Sequence, residues 1–191
     1  MKHWHSILLV GLLSSSALAE SPTPADTSAL EQEAQQIVQQ FGGQLKSVLQ
    51  ASMMSGGPVQ AMQVCKTNAP QIAQTVGAEQ GWVVARTSAK VRNPNNQPDA
   101  WEAQVLADWA NKIANGAPVA GLKTSAVVDQ NGKPVFRYMQ AIPTADLCLN
   151  CHGSQLSTQV QDTLQALYPQ DQATGFAAGD LRGAFSLQKS L

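Results

Sequence analysis

Leu30, Ala34, Ile37, Phe41, Leu45, Val48 and Ser52 follow one another at spacings of three and four, which marks one buried face of a helix. Ser28 with Glu31 three residues on makes a capping box, so the pattern predicts a long first helix opening at that serine. Gly42-Gly43 weakens its middle by up to about 1 kcal/mol per glycine relative to alanine. Gly56-Gly57-Pro58 then breaks the chain and places Pro58 as the first residue of a second helix. Met62, Cys65, Ala69, Ile72 and Val76 share a face of that helix. Pro70 cannot donate to the carbonyl of Lys66, which predicts a kink or restart within about a turn of Cys65.

Trp82 to Ala85 reads as a short strand, and the Asn- and Pro-rich stretch from Ser88 to Pro98 as an irregular loop. Asp99 to Asn115 is predicted as a third helix ending before Gly116, with Trp101, Val105, Trp109 and Ile113 as a core stripe. Val127-Val128 and Val135-Phe136 flank Asn131-Gly132, a strong hairpin signal. A helix over Gln155 to Leu167 and a last strand over Gly183 to Leu187 complete the pattern. The expected class is α+β, with helices beside a small antiparallel sheet.

The N-terminus changes where such a domain would act. Lys2, His3 and His5 precede the apolar run from Ile7 to Leu13, and Ala17-Leu18-Ala19 offers small residues before Glu20. This is the layout of an export signal, so residues 1–19 are expected to be removed, with 20–26 a short linker and 27–191 a single domain. Seven apolar residues fall far short of the roughly 20 that a membrane span requires, so no span is expected after cleavage. The expected compartment is the periplasm. Of 191 residues, 13% are charged, and the formal net charge of −1 becomes −2 once Lys2 is lost with the leader. Binding of nucleic acid or anionic lipid as a main activity is thereby excluded. Only His152 of the three histidines survives cleavage, and three cysteines would leave one thiol over from any disulfide.

Cys148-Leu149-Asn150-Cys151-His152 is C-x-x-C-H, the attachment sequence for c-type haem. Its two thiols are spaced to add to the vinyl groups of one covalent haem, with His152 as the proximal iron ligand. A thioredoxin-like pair would require this motif to open a helix in a βαβ unit, and a zinc site would require a second pair of ligands. The sixth position on iron stays open among Cys65, the methionines Met53, Met54, Met62 and Met139, or no protein ligand. Cys65 is the one thiol that attachment does not consume, and a buried apolar role on its helix face is equally ordinary. Arg86 and Arg92 flank the Asn- and Pro-rich loop; they suit either haem propionates or loop carbonyls as partners. Tyr168-Pro169 and Asp171 are expected to order the segment over the haem.

Taken together, WVVARTSAKVRNPNNQPDAWE from Trp82, CLNCHG from Cys148 and YPQDQATGFAAGDLRGAFSL from Tyr168 resemble the bacterial single-haem c-type family with a PAS-like fold. That family includes cyanobacterial standalone proteins and sensor modules of histidine kinases and chemoreceptors. The resemblance implies a sheet of about five antiparallel strands. It also implies that Cys65, within Val64-Cys65-Lys66-Thr67-Asn68-Ala69-Pro70, is the second axial ligand beside His152. Ala89 departs from the pattern, where a larger apolar residue is expected. No kinase or receptor output follows the last strand, so a redox or signalling protein partner is expected.

Two functions compete. One is a haem module that responds to redox state or to a diatomic ligand such as NO or CO; the other is a soluble periplasmic electron-transfer cytochrome c. A carrier usually presents a charged docking patch, and no cluster of like charges stands out. An enzyme is not expected, because a peroxidase would want a distal acid-base partner and no second histidine remains.

Overall fold

The computed structural model describes residues 24–191. The expected leader and residues 20–23 of the expected linker therefore lie outside the described residues. Helix α1 (Pro24–Gln80) is broken only at Gly56 (φ −155°, ψ 17°) and Gly57 (φ 66°, ψ −163°), where the sequence predicts the break. Its start differs from expectation. The helix opens at Pro24, so Ser28 lies inside it, and the Glu31 carboxylate accepts a hydrogen bond from Ser125 Oγ rather than capping. The chain also runs through Pro70 with helical dihedrals. Lys66 and Pro70 are both exposed, so water can serve the carbonyl that lost its donor.

Four strands are found among the described residues, where the family resemblance implied about five. They are β1 (Val83–Thr87), β2 (Lys123–Gln130), β3 (Lys133–Pro143) and β4 (Leu181–Ser190), all antiparallel in the order β1-β4-β3-β2. Asn131 and Gly132 both take positive φ, 57° and 78°, giving the two-residue turn that joins β2 to β3. The last strand runs longer than Gly183–Leu187 because β4 is central and pairs on both sides.

The sheet separates two apolar layers. On one face, Ala34, Ile37, Val38, Phe41, Ala73 and Val76 of α1 pack on Val84, Phe136, Tyr138 and Leu187. Gly42 has a use there, since a Cβ would lie 3.1 Å from the Phe185 ring that stacks edge-on against Phe41. On the other face lies α2 (Ala100–Ala114), capped by Asp99 and Glu102, with Val105, Leu106 and Trp109 against Met139, Ala141 and Ala184. Arg137 is buried on this face, paired with Asp99 at 2.6 Å and Glu102 at 3.2 Å. The short helix α3 (Leu149–His152) and α4 (Thr158–Leu167), capped by Ser157, lie against the second arm of α1 through Met62, Val160 and Leu164. No helix among the described residues is long and apolar enough to cross a membrane.

Candidate functional site

A 3-10 turn over Asp146–Cys148 runs directly into α3, so Cys148 and Cys151 stand three residues apart on consecutive helical turns with His152 following. Residues at this spacing share a face. Gly153 ends the segment, and the close return of the chain demands glycine, since a Cβ would lie 2.6 Å from the Leu149 carbonyl oxygen. Backbone bonds tie both flanks down: Thr144 N–H donates to Asp180 at 2.8 Å, and Phe176 N–H donates to His152 at 2.9 Å.

The tautomer of His152 follows from its partners. Nδ1 lies 2.7 Å from the Ala173 carbonyl oxygen, which can only accept, so the proton sits on Nδ1 and the Nε2 lone pair accepts from Arg92 Nη1 at 3.4 Å. Burial, followed by the charges of Arg182 and Arg92, pushes the His152 pKa down to about 2 and keeps the ring neutral. Phe176 holds the ring edge-on with centroids 6.2 Å apart. A neutral imidazole with one nitrogen anchored as donor and the other unprotonated has the tautomer a metal ligand requires.

Arg92 makes the loop contacts that are one of its two expected roles. Its Nη2 donates to the Cys151 carbonyl at 2.6 Å, to Asp171 Oδ2 at 3.0 Å and to the Ala173 carbonyl at 3.1 Å. Asp171 in turn accepts the Ala173 N–H at 2.8 Å. Arg92 therefore fixes the two loops that orient His152, and its Nη1 lies 3.4 Å from His152 Nε2.

Cys65, on the second arm of α1, is partly buried; burial pushes its thiol up while the nearby Arg86 guanidinium opposes that. The same holds at Cys151, where burial raises the thiol, Arg92 opposes, and Cys65 and Cys148 are close enough to add to the rise. All three cysteines are free thiols. The structure thus brings Cys65, Cys148, Cys151, His152, Arg86 and Arg92 to one region. Among the methionines, Met62 packs near Cys151, Met139 is fully buried on the opposite face of the sheet, and Met54 is 89% exposed. Tyr168 joins the site beside Lys66, whose Nζ sits 5.3 Å from its ring centroid.

Arg182 was not singled out from the sequence, yet it faces the same histidine. Its guanidinium lies over the Phe176 ring at 5.3 Å, and burial with the repulsion of Arg92 and Arg86 pushes its pKa down to about 10. A glycine inside a strand pattern, here Gly183, was the available signal. Three guanidiniums then converge where Asp171 is the one carboxylate paired with any of them. The site fits a group that carries its own metal ligands and two negative charges: it offers a pair of thiols at C-x-x-C spacing, one unprotonated imidazole nitrogen and an excess of cations. No cluster of three or more His, Cys, Asp or Glu side chains suited to a bare ion occurs among the described residues. Cavities of about 400 Å³ and 360 Å³ open on either side of Tyr168 and Pro169, lined by Gly153, Leu164 and Thr174 in one case and Lys66, Pro70 and Arg92 in the other.

Comparison with known proteins places this geometry. The family model described as Tll0287-like matches residues 23–190, and the chain belongs to that family. Among solved structures, the crystal structure of the cyanobacterial haem protein Tll0287 superposes with a TM-score of 0.60 at 24% identity, covering 88% of this chain and 97% of that one. The likeness shows a shared fold. Comparison with curated proteins gives no match.

Proposed function

We propose that this member of the Tll0287-like family is an exported, periplasmic protein with a PAS-like sheet, carrying one covalent c-type haem and responding to redox state or to a diatomic ligand. The observation that carries the reading is His152: Nδ1 is anchored on the Ala173 carbonyl at 2.7 Å, Nε2 is left unprotonated with Arg92 Nη1 3.4 Å away, and two thiols stand at C-x-x-C spacing immediately before it. The cyanobacterial relative's description as a haem protein supports it.

Cys148 and Cys151 would hold the group through thioethers, and His152 and Cys65 would ligate its iron. Haem, when bound, supplies an iron that exchanges one electron and takes NO or CO where an axial position opens. Cys65 would supply a thiolate donor, which suits the more highly charged iron better, so its hold on the group would depend on redox state. A redox or signalling partner would read that change.

The test has two stages. Haem stain should persist on the purified protein after acid-acetone extraction and denaturing electrophoresis, and disappear in Cys148→Ala/Cys151→Ala. Cys65→Ser should then alter the ferric spectrum, raise the midpoint potential and bind CO without delay on reduction. Loss of all stain from the wild type removes covalent haem. Identical spectra and potentials for wild type and Cys65→Ser, with bands unchanged by CO, point instead to an electron-transfer cytochrome in which Cys65 only fills the core.

A further inference from the structure

The geometry points to Arg182, paired with Arg86, as the cationic seat for the two propionate carboxylates of the haem, an assignment that rests on the haem reading above. Three features carry it.

The first is a β-bulge. In the ladder between β3 and β4, Ile142 pairs with Gly183 and Pro143 with Leu181, which leaves Arg182 as the extra residue. Bulges re-aim a side chain out of the strand's alternation and gather beside functional sites. Gly183 makes this bulge possible, with φ 154° and an approach so close that a Cβ would lie 2.4 Å from the Thr87 carbonyl oxygen.

The second is the support under the guanidinium. Ser88 Oγ donates to the Arg182 carbonyl at 2.8 Å and accepts from Arg182 Nη1 at 3.3 Å, while Phe176 lies beneath the guanidinium. The same Phe176 ring packs edge-on to His152, so one aromatic side chain positions both the imidazole and the cation. Thr87 and Ala184 are in register, as are Arg86 and Phe185, so β1 brings Arg86 to the same end of the sheet.

The third is the distribution of partners. Arg92 has a carboxylate and two carbonyls of its own. Arg86 and Arg182 have no ion pair among the described residues. Burying cations near one another without anions is costly, and burial lowers the pKa of both. Two carboxylates on one ligand would compensate two guanidiniums by charge-assisted hydrogen bonds, for which the planar fork of arginine is suited.

The chain produced without haem attachment is titrated with ferric protoporphyrin IX and, separately, with its dimethyl ester, which keeps the ring and iron but removes both charges. Wild type should bind the diacid at least about tenfold more tightly than the diester, and added salt should shrink that preference. Arg182→Gln and Arg86→Gln should each reduce the preference severalfold while moving diester affinity by less than about twofold. Arg182→Lys, which keeps the charge, should retain part of it; Arg92→Gln should weaken both porphyrins alike. Equal affinity of wild type for diacid and diester overturns the assignment, as does an equal loss for both porphyrins in Arg182→Gln with Arg182→Lys no better. Failure of wild type to bind either porphyrin, with haem stain also absent from the exported protein, overturns the haem reading and this assignment with it. Diester binding without a diacid preference sinks the assignment alone.

Discussion

At the scale of single residues, Arg92 shows how partners fix what an arginine does. Arg92 spends its fork on Asp171 and on the carbonyls of Cys151 and Ala173, with both members of the ion pair about nine-tenths buried. Removing it strands the Asp171 carboxylate in a site with little water. Arg92→Ala should therefore cost about 3–5 kcal/mol by urea denaturation, and Arg92→Lys clearly less because the charge survives. A loss below about 1 kcal/mol would show that water or another cation replaces it. The thiols and His152 were legible because they lie in one short C-x-x-C-H pattern. The sequence left Arg92 open between two partners, since no spacing rule links an arginine to a carbonyl. The Ala173 carbonyl was invisible for the same reason: any residue carries one, and only folding brings this one to a histidine 21 positions earlier.

At the scale of elements, glycine decides where the chain may turn. Gly57 adopts φ 66°, ψ −163°, a region essentially closed to residues with a Cβ, and open space around it leaves backbone strain as the whole penalty for substitution. Gly57→Ala should cost about 1–3 kcal/mol. In a chain of this size that corresponds to at least about 2 °C in melting temperature. Because Cys65 rides on the arm beyond the break, the same variant should also shift the ferric spectrum of the haem-loaded protein. A lowered melting temperature with an unaltered spectrum would mean that the arm is held by Met62 and its α4 neighbours rather than by the break. The break was legible because Gly-Gly-Pro has few other uses. The helix start was not: a serine followed by a glutamate three residues later matches a capping box, yet Glu31 is engaged with Ser125 of β2, a contact between distant parts of the chain. Pro70 misled similarly, because propensity counts a lost donor and takes no account of the solvent at exposed Lys66.

Across the whole molecule, the two arms of α1 divide the labour, the first covering the sheet and the second carrying Cys65 toward α3 and α4. The first arm is held by apolar burial and by polar ties at its edge, among them Glu33 and Lys189 of β4 at 2.9 Å. Burial alone would raise the Glu33 carboxyl, but hydrogen bonding by Lys189 and Trp82 together with the Lys189 charge outweighs it, and the net shift is downward. A carboxyl lowered on folding binds fewer protons in the folded state than in the unfolded one. Its contribution is thus present above the ordinary carboxylate range and is lost as pH falls through the folded value. Glu33→Gln should accordingly destabilise the protein slightly at about pH 7, where the pair is charged, and the gap to wild type should close as pH falls through and below the ordinary carboxylate range. Urea denaturation of both proteins across that range reads the difference directly. Tyr138, beneath the same arm, gives the opposite slope: burial and the nearby Glu31 push its pKa up to about 12, so its share of stability persists below its unfolded value and is lost as pH rises toward 12. Tyr138→Phe should flatten that alkaline loss while leaving the acid limb intact. If Glu33→Gln instead parallels wild type through the acid limb, the Lys189 contact contributes nothing to folding and the first arm is held by apolar burial and its other polar ties, such as Glu31 with Ser125.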